Sequence, residues 1–276
     1  MPFPPEAVGV GRMRCGDDPM TCAALRLATG VALLLACCPI AWAASPQIQS
    51  QVRVIGCPAN EQIGSAGIRT GQLMPAPVEQ HTAEQLAYYE AGPSPGVFAP
   101  AGWACRAWYG SSGSVLVVTP KHLQPPYFPL PMITGPAVTV TTSDGETSGR
   151  FHVAIVAAQL FPVFGSAFIT QVRQEHLLPD STFDAQPYPD DQLNYLSDRF
   201  VQYTTPPNRA GAGTDGLLQP SDLPISGLSI LNPEAQVQSL TEVRIRLPAG
   251  RNVVVAAILQ LETACVQLQR GCRGLK

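Results

Sequence analysis

Residues 240–247 read LTEVRIRL, and apolar and polar side chains alternate along this stretch. A two-residue period is typical of a β-strand that buries one face of its sheet. The sequence PAGR at 248–251 is a turn signal. The apolar run 253–261 beyond it is long enough for a buried strand or a helix. The C-terminal region therefore predicts a β-strand followed by a second buried element.

Segments upstream extend this pattern into a mixed fold. The dipeptide Asp144-Gly145 favours a hairpin turn between predicted strands at 137–142 and 150–158, the second of which contains His152. The remaining predicted elements are strands at 51–55 and 114–119 and helices at 82–91 and 190–203. The fold class that follows is α+β: an antiparallel sheet with two or three packed helices in one loop-rich domain.

The composition excludes several classes of protein. The 276 residues include 17 Lys and Arg against 20 Asp and Glu, a net charge of −3. Charged residues make up 13% of the chain, about half the roughly 25% of an average soluble domain. A disordered acidic tail, a coiled coil and a basic nucleic-acid binder are thereby excluded. The chain has two lysines, Lys121 and Lys276. A groove that binds the phosphates of a nucleic acid needs clustered cations, so we expect no nucleic acid as a partner.

Residues 27–43 read LATGVALLLACCPIAWA, with Arg26 before the apolar core and Ala41-Trp42-Ala43 at its end. A basic residue, a short apolar core and a small-x-small site are the features of a secretory signal peptide. The core is too short for a membrane span, which needs about 20 residues. We therefore predict that residues 1–43 are an N-terminal extension and signal peptide. Residues 44–276 are then a single exported domain without a transmembrane segment, periplasmic or secreted.

Two alternatives to this reading of the N-terminus remain open. The sequence Leu34-Leu35-Ala36-Cys37 approximates a lipobox, which would leave the protein as a lipoprotein anchored at Cys37. The apolar run could instead be an N-terminal helix buried in the domain. Incorporation of palmitate distinguishes the lipoprotein from a freely exported chain.

Four cysteines remain after the predicted cleavage: Cys57, Cys105, Cys265 and Cys272. An even number in an exported chain indicates disulfide bonds, and four cysteines allow three pairings. We predict the local pairing, Cys57 with Cys105 and Cys265 with Cys272. A zinc site is the alternative, but the chain has no C-x-x-C and no histidine at ligand spacing. We therefore expect no metal and no other cofactor.

The segment GSSGS at 110–114 places Ser112 just before a predicted strand. A hydrolase nucleophile elbow carries G-x-S-x-G between a strand and a helix. Here Ser114 replaces the last glycine, and the order of elements is reversed. Ser112 is a candidate nucleophile with His122 or His152 as its base. The alternative is a turn whose hydroxyls bond their own backbone.

Histidines and carboxylates suggest three further kinds of site, and their spacing favours none of them. The histidines have no metal-binding spacing. The acidic run lacks the central glycine of a calcium loop, and a solvated loop explains it better. Four glutamates would form a glycosidase pair only if two of them converge. The histidines are His81, His122, His152 and His176, the acidic run is Asp180, Asp184, Asp190 and Asp191, and the glutamates are Glu146, Glu175, Glu242 and Glu262.

Aromatic residues cluster in a stretch rich in glycine and proline. Aromatic side chains on loops supply contact area at a low entropic cost, and an arginine between two tryptophans could stack or hold an anion. A binding surface is therefore one interpretation. The other is that the tryptophans form core packing over the Cys57–Cys105 bridge. The residues are Trp103, Arg106, Trp108, Tyr109, Tyr127 and Phe128.

Several motifs follow one another in a fixed order along the chain: Gly102-Trp103 with Cys105, the loop 109–114, Thr205-Pro206, Gly211-x-Gly213-Thr214, Pro224-Ile225-x-Gly227 and Arg246-Leu247-Pro248. This order of motifs resembles a family of uncharacterised exported bacterial proteins. The resemblance covers most of the predicted mature chain and implies export and a single domain. It implies no reaction, and the Cys265/Cys272 pair lies outside its pattern.

No catalytic spacing in the sequence accounts for a reaction. We therefore expect a non-catalytic exported domain that binds a small ligand or an envelope protein through Trp103, Arg106, Trp108 and Tyr109. The alternative is a serine hydrolase that uses Ser112. A serine, a histidine and a carboxylate in mutual contact would favour the enzyme, and scattered histidines would favour binding.

Overall fold

The structure is a computed structural model that describes residues 50–59, 70–92, 95–122, 130, 132–233, 238–267 and 272. All of them belong to one unit, Gln47–Lys276. The predicted signal peptide with its cleavage site after Ala43, the lipobox cysteine Cys37, and the aromatic residues Tyr127 and Phe128 lie outside the described residues. Within the described residues, no helix is both long and apolar enough to cross a membrane.

Two sheets and four helices build the fold. The smaller sheet has the order β2-β1-β3-β4 and consists of β1 (Gln51–Gly56), β2 (Leu73–Pro75), β3 (Leu86–Glu90) and β4 (Val97–Pro100). The larger sheet consists of β5 (Ala104–Gly110), β6 (Gly113–Thr119), β7 (Ala137–Ser143), β8 (Gln192–Ser197), β9 (Phe200–Thr205), β10 (Ile225–Pro233) and β11 (Gln238–Arg246). The helices are α1 (Gln80–Ala83), α2 (Arg150–Leu160), α3 (Ser166–Arg173) and α4 (Asn252–Gln267).

The larger sheet is antiparallel throughout, in the order β5-β6-β7-β11-β10-β9-β8. The strand predicted from LTEVRIRL is β11, which lies at the centre between β7 and β10. The α+β class is confirmed. The structure adds a second sheet, in which β1 and β3 run parallel, and its described residues form four α-helices where two or three were expected.

Each face of the larger sheet has its own apolar core. Val243 and Ile245 of β11 pack with Ile258 and Leu261 of α4 and with the smaller sheet. On the opposite face, Leu240 of β11 joins the apolar residues of α2 and α3. The alternation of side chains along β11 therefore divides its residues between two buried layers.

The disulfide prediction is confirmed. Cys57 and Cys105 are bonded, with a Cα–Cα distance of 5.4 Å, and link the end of β1 to β5 of the larger sheet. Cys265 and Cys272 are bonded, with a Cα–Cα distance of 4.3 Å, at the C-terminal end of α4. The first bridge therefore joins the two sheets, and the second closes a short local loop.

The predicted strand at 150–158 is wrong, because these residues belong to α2. The apolar run RFHVAIVAAQL fits a strand or a helix, and its alanines favour a helix. Val153, Val156, Ala157 and Leu160 are all buried on the side of α2 that faces the sheet. β7 does not form a hairpin with this segment, because β6 and β11 already occupy both of its edges.

The two predicted helices are also wrong. Within 82–91 the helix α1 ends at Ala83, and the following LAYYE forms β3, whose five residues are all buried. Residues 190–203 form the hairpin of β8 and β9. In β9 Phe200 is buried against one core and Val201 against the other, which a strand between two layers allows. In both segments tertiary packing overrides a helical spacing.

Candidate functional site

A cleft of about 540 Å³ opens on the face of the larger sheet that carries α2. Its floor consists of Trp108, Val115, Thr141 and Glu242, which are paired in turn across β5, β6, β7 and β11. Paired residues on neighbouring strands point to the same face. The sheet register therefore places an aromatic ring at one end of the floor and a carboxylate at the other.

Two walls enclose this floor. One is the start of α2, with Ser148, Phe151 and His152, and the other is the loop 215–217. The start of α2 is held close to the turn between β5 and β6, since a Cβ at Gly149 would lie 2.3 Å from the carbonyl oxygen of Ser112. A glycine at this position therefore allows His152 and Ser112 to face the same cleft.

Three charged residues of β11 point to the cleft side of the sheet: Glu242, Arg244 and Arg246. The sequence pattern predicts this side of the strand to be polar, yet all three residues are buried. Burying a charge is costly unless it is paired and hydrogen-bonded. Each of the three has such partners, and these partners organise the cleft.

The carboxylate of Glu242 joins a histidine and an arginine. Its Oε2 lies 2.9 Å from Nε2 of His152, and its Oε1 accepts a hydrogen bond of 2.8 Å from Nη2 of Arg244. Burial raises the pKa of Glu242, but the charge of Arg244 and the hydrogen bond from His152 outweigh it. The net pKa is lowered, so Glu242 is ionised at neutral pH.

His152 is the part of this network that reaches the solvent, with 36% of its side chain exposed against 3% for Glu242. Burial lowers the pKa of His152, but the hydrogen bond and the charge of Glu242 raise it by a larger amount. The net pKa is therefore raised from the ordinary value of 6.5. Because Nε2 bonds Glu242, Nδ1 is the nitrogen left for a bound molecule. It donates when the ring is charged and accepts when the ring is neutral.

Arg244 connects the carboxylate to the opposite wall. Besides Glu242, its guanidinium donates to the carbonyl oxygens of Ala212 at 3.1 Å and Asp215 at 3.0 Å. A Cβ at Gly216 would lie 3.2 Å from the guanidinium carbon, so a glycine lets this loop approach closely. Arg244 therefore holds in place both the loop 215–217 and the carboxylate of Glu242 that bonds His152.

Arg246 is fully buried and has a different role. It donates to the carbonyl oxygens of Ile133, Gly135 and Gln219 and to the hydroxyl of Ser221. Burial lowers its pKa, although the charge of Asp222 opposes this. Arg246 thus stabilises two loops on the sheet and does not line the cleft.

The predicted pair of Ser112 and His152 faces one cleft, whereas His122 is exposed and does not line it. His152 stands on α2 and not on a strand. In the described part of the chain, no hydrogen bond joins a serine hydroxyl to His152; its recorded partner is Glu242, and Ser114 Oγ instead lies 2.6 Å from Thr142 Oγ1. A histidine and a carboxylate are therefore in contact, and a serine stands near them without bonding them.

The predicted aromatic residues separate into two groups. Trp108 is nearly buried and lines the cleft, whereas Tyr109 borders the cleft but its side chain packs in the core on the opposite face of the sheet. Trp103 packs against the core that contains Cys57, as the alternative interpretation predicted, and its backbone N–H donates to the hydroxyl of Tyr89. The guanidinium carbon of Arg106 lies 5.9 Å from the ring centre of Trp108. Neither Trp103 nor Arg106 lines the cleft.

Several of the other predicted carboxylates have partners within the chain, whereas Asp180 is exposed at the start of a short 3-10 helix. Asp184 pairs with Arg173 at 2.8 Å, Asp190 with Arg209 at 3.6 Å, and Asp191 accepts the backbone N–H of Ala212 at 2.8 Å. Of the four glutamates, Glu242 lines the cleft, Glu175 pairs with Arg150, Glu262 belongs to α4 on the other face of the sheet, and Glu146 is exposed in the turn after β7. They form no glycosidase pair in the described residues.

The ligating atoms of Glu262, Cys265 and Cys272 lie within 4.8 Å of one another, a spacing that could hold a metal ion. The two sulfur atoms are bonded to each other in the disulfide. A disulfide sulfur is not a thiolate ligand, so in this state the group does not bind zinc.

No protein-family model, no curated protein and no solved structure matches this chain. The function is therefore argued from the geometry of the cleft.

Proposed function

We propose that the protein is an exported domain that binds a small molecule in the cleft between the start of α2 and the loop 215–217. The observation that carries the proposal is the buried chain Arg244–Glu242–His152, which ends at an exposed imidazole inside the cleft. A concave site with apolar walls and a few fixed polar groups is the usual form of a ligand pocket. The cleft volume of about 540 Å³ also lies in the usual range for such ligands.

The lining indicates the chemistry of the ligand. Trp108, Phe151 and Leu217 provide apolar and aromatic surface, which suits a flat apolar body. The imidazole of His152 provides the polar contact, and Arg244 and Glu242 hold it in place. A small aromatic molecule with a hydroxyl or carboxylate group fits this combination. A cationic group fits less well at this nitrogen, because the imidazole is itself charged below its raised pKa, although the carboxylate of Asp215 also lines the cleft.

Trp108 provides a direct assay for binding. The chain has three tryptophans, Trp42, Trp103 and Trp108, so the variant W42F/W103F leaves Trp108 as the reporter and W42F/W108F leaves Trp103. Benzyl alcohol, benzoate and benzylamine carry the same ring with a neutral, an anionic and a cationic group. We expect benzyl alcohol and benzoate to change the emission of Trp108 saturably, and benzylamine to bind least.

Two histidine variants test whether the probes bind in the cleft. His152→Ala weakens binding of both probes, whereas His122→Ala, which changes an exposed histidine outside the cleft, leaves it unchanged. Two results would contradict the proposal. One is a change in the emission of Trp103 in W42F/W108F as large as the change in the emission of Trp108 in W42F/W103F. The other is the absence of saturation with all three probes.

A serine hydrolase is the second candidate, because Ser112 faces the cleft with a histidine that a carboxylate orients. Its test is the hydrolysis of p-nitrophenyl acetate. This candidate requires Ser112→Ala and His152→Ala to abolish turnover and Ser111→Ala, a change to the neighbouring exposed serine, to preserve it. Unchanged turnover in Ser112→Ala rules it out.

Export is part of the proposal and has a separate test. The two disulfides support it, because such bonds persist in oxidising compartments. The resemblance to exported bacterial proteins in the order of motifs supports it too. Expressed in a bacterium, the recovered protein is expected to begin at Ala44 and to contain no free thiol. Palmitate on Cys37 would favour the anchored alternative, and an unprocessed, reduced chain in the cytosol would overturn export.

A further inference from the structure

The C-terminal half of α4 brings a carboxyl group to a disulfide inside the core. Glu262 and the bridged Cys265 and Cys272 are all buried, on the sheet face opposite the cleft. Oε1 of Glu262 accepts the backbone N–H of Phe98 in β4 at 2.7 Å, and Oε2 lies 3.9 Å from Sγ of Cys272. One carboxyl oxygen is thus occupied, and the other faces sulfur.

The proton of this group lies on the oxygen that faces the sulfur. Burial raises the pKa of Glu262 to about 8, with the hydrogen bond from Phe98 opposing it. No charged side chain of the elements packed on α4, namely β4, β10 and α1, contributes to this pKa. Because Oε1 accepts a hydrogen bond and a disulfide sulfur has no proton to donate, Oε2 is the oxygen that holds the proton at neutral pH.

We propose that Cys265–Cys272 is a redox-active disulfide and that Glu262 is the proton donor for its reduction by a dithiol. The contact between Oε2 and the sulfur of Cys272 assigns the roles of the two sulfurs. Cys272 is the leaving group, because its sulfur is the one beside the acid. Cys265 is the sulfur that the incoming thiolate attacks, when local opening at the C-terminal end of α4 exposes the buried bridge.

The reduction balances in two steps. A thiolate of the dithiol attacks Sγ of Cys265, a new S–S bond forms, and the Cys265–Cys272 bond breaks. The electron pair passes to Sγ of Cys272, which takes the proton of Glu262 and leaves the carboxylate. The second thiol of the reductant then attacks the reductant's own sulfur in the mixed disulfide, which forms a cyclic disulfide and breaks the bond to Cys265, and the proton of this thiol passes to the departing Cys265 thiolate. A good leaving thiol accelerates such exchange, and protonation by a placed acid has the same effect.

The other disulfide is an internal control. The polar contact recorded for Sγ of Cys57 is the carbonyl oxygen of Ile55 at 3.9 Å, and a carbonyl has no proton to give. Both bridges experience the same reductant, pH and temperature in one tube. The ratio of their reduction rates therefore cancels the ionisation of the reductant.

The experiment reduces the full chain with dithiothreitol, alkylates the free thiols at timed intervals, and quantifies each cysteine by peptide mass spectrometry. In Glu262→Gln, which keeps an oxygen for the N–H of Phe98, we expect reduction of Cys265–Cys272 at pH 7 to slow by about tenfold or more, a threshold set below the roughly 10²–10⁴-fold that is typical of general-acid catalysis. Reduction of Cys57–Cys105 stays unchanged. An unchanged ratio in this variant would overturn the proposal.

The wild-type chain provides a second test that does not depend on the folding of a variant. The ratio of the rate at Cys265–Cys272 to the rate at Cys57–Cys105 should fall as the pH rises through about 8, where Glu262 loses its proton. A ratio that is constant or rises from pH 6 to pH 9 would also overturn the proposal, since ionisation of a carboxyl with a purely structural role would loosen the core around the bridge and speed its reduction.

Discussion

Glu242 sets the protonation state of the cleft because two cationic side chains share its carboxylate. Arg244 is held on one oxygen and His152 on the other, and the arginine also anchors the loop wall. Breaking a buried pair by removing one partner leaves an uncompensated charge. We therefore expect a substitution of Glu242 to change the pKa of His152, which is the residue that a ligand contacts.

Glu242→Gln should reverse the direction of the shift in the pKa of His152. In the wild type Glu242 raises this pKa above 6.5 against burial and the charge of Arg244. Without the carboxylate, burial and the charge of Arg244 still lower the pKa and the weaker effect of Asp215 alone raises it, so the pKa falls below 6.5. NMR titration of the imidazole resonances, assigned with His152→Ala, measures both values. A value that stays above 6.5 in Glu242→Gln would show that the carboxylate is not the cause.

Arg246 should matter for stability and not for binding. Arg246→Met leaves the carbonyl oxygens of Ile133, Gly135 and Gln219 without their donor, which we expect to lower the free energy of unfolding by about 3 kcal/mol. Arg209→Met removes an exposed arginine and serves as the control, with an expected change below about 0.5 kcal/mol. Urea denaturation measures both, and equal losses would contradict the role assigned to Arg246.

Single residues of the site could be found in the sequence, but their contacts could not. Ser112, His152 and Glu242 each belong to a set of candidates that their chemistry selects. The hydrogen bond between His152 and Glu242 spans 90 residues, and no local spacing encodes it. The signal that was available is the pattern Glu242-x-Arg244-x-Arg246, because charged residues at alternate positions of an apolar strand require buried partners if that strand is central.

At the scale of elements, the start of α2 is positioned by direct backbone contact with the turn that carries Ser112. Gly149→Ala would place a Cβ 2.3 Å from the carbonyl oxygen of Ser112, so the turn or the helix must shift. We expect a loss of about 1–3 kcal/mol in the free energy of unfolding, measured by thermal or urea denaturation. Gly135→Ala is the matched control, because its Cβ would meet open space. Similar losses in both variants would contradict this account.

The elements differ in how well the sequence predicts them. The central strand β11 could be predicted because one of its faces is consistently apolar. The segment 150–158 could not, because an apolar run of that length fits a strand or a helix, and the choice depends on β6 and β11 occupying the edges of β7. Similarly, β3 and β9 are buried on both faces, which removes the alternation that would have marked them as strands.

At the scale of the whole molecule, Glu262 makes stability depend on pH. Its pKa is raised from 4.5 to about 8 in the folded chain, so between these values the unfolded chain loses a proton that the folded chain keeps. The free energy of unfolding therefore falls as the pH rises from 4.5 to 8, by about 5 kcal/mol in total from this group.

Glu262→Gln removes this dependence, because an amide does not ionise. Urea denaturation of both chains between pH 5 and pH 8 should show that the wild type loses stability relative to the variant as the pH rises. Far-ultraviolet circular dichroism confirms that both begin from the same fold. A difference between the two chains that is constant across this range would mean that Glu262 is ionised inside the core.

The proposed binding of a small molecule by the cleft is tested most directly by mapping a bound probe with NMR. Benzyl alcohol titrated into isotope-labelled protein should shift resonances of Trp108, Phe151, His152 and Gly216 with one common saturation curve. The same titration of His152→Ala should need a higher concentration to reach saturation. Shifts confined to residues outside the cleft, or shifts that never saturate in the wild type, would contradict a ligand site at this position.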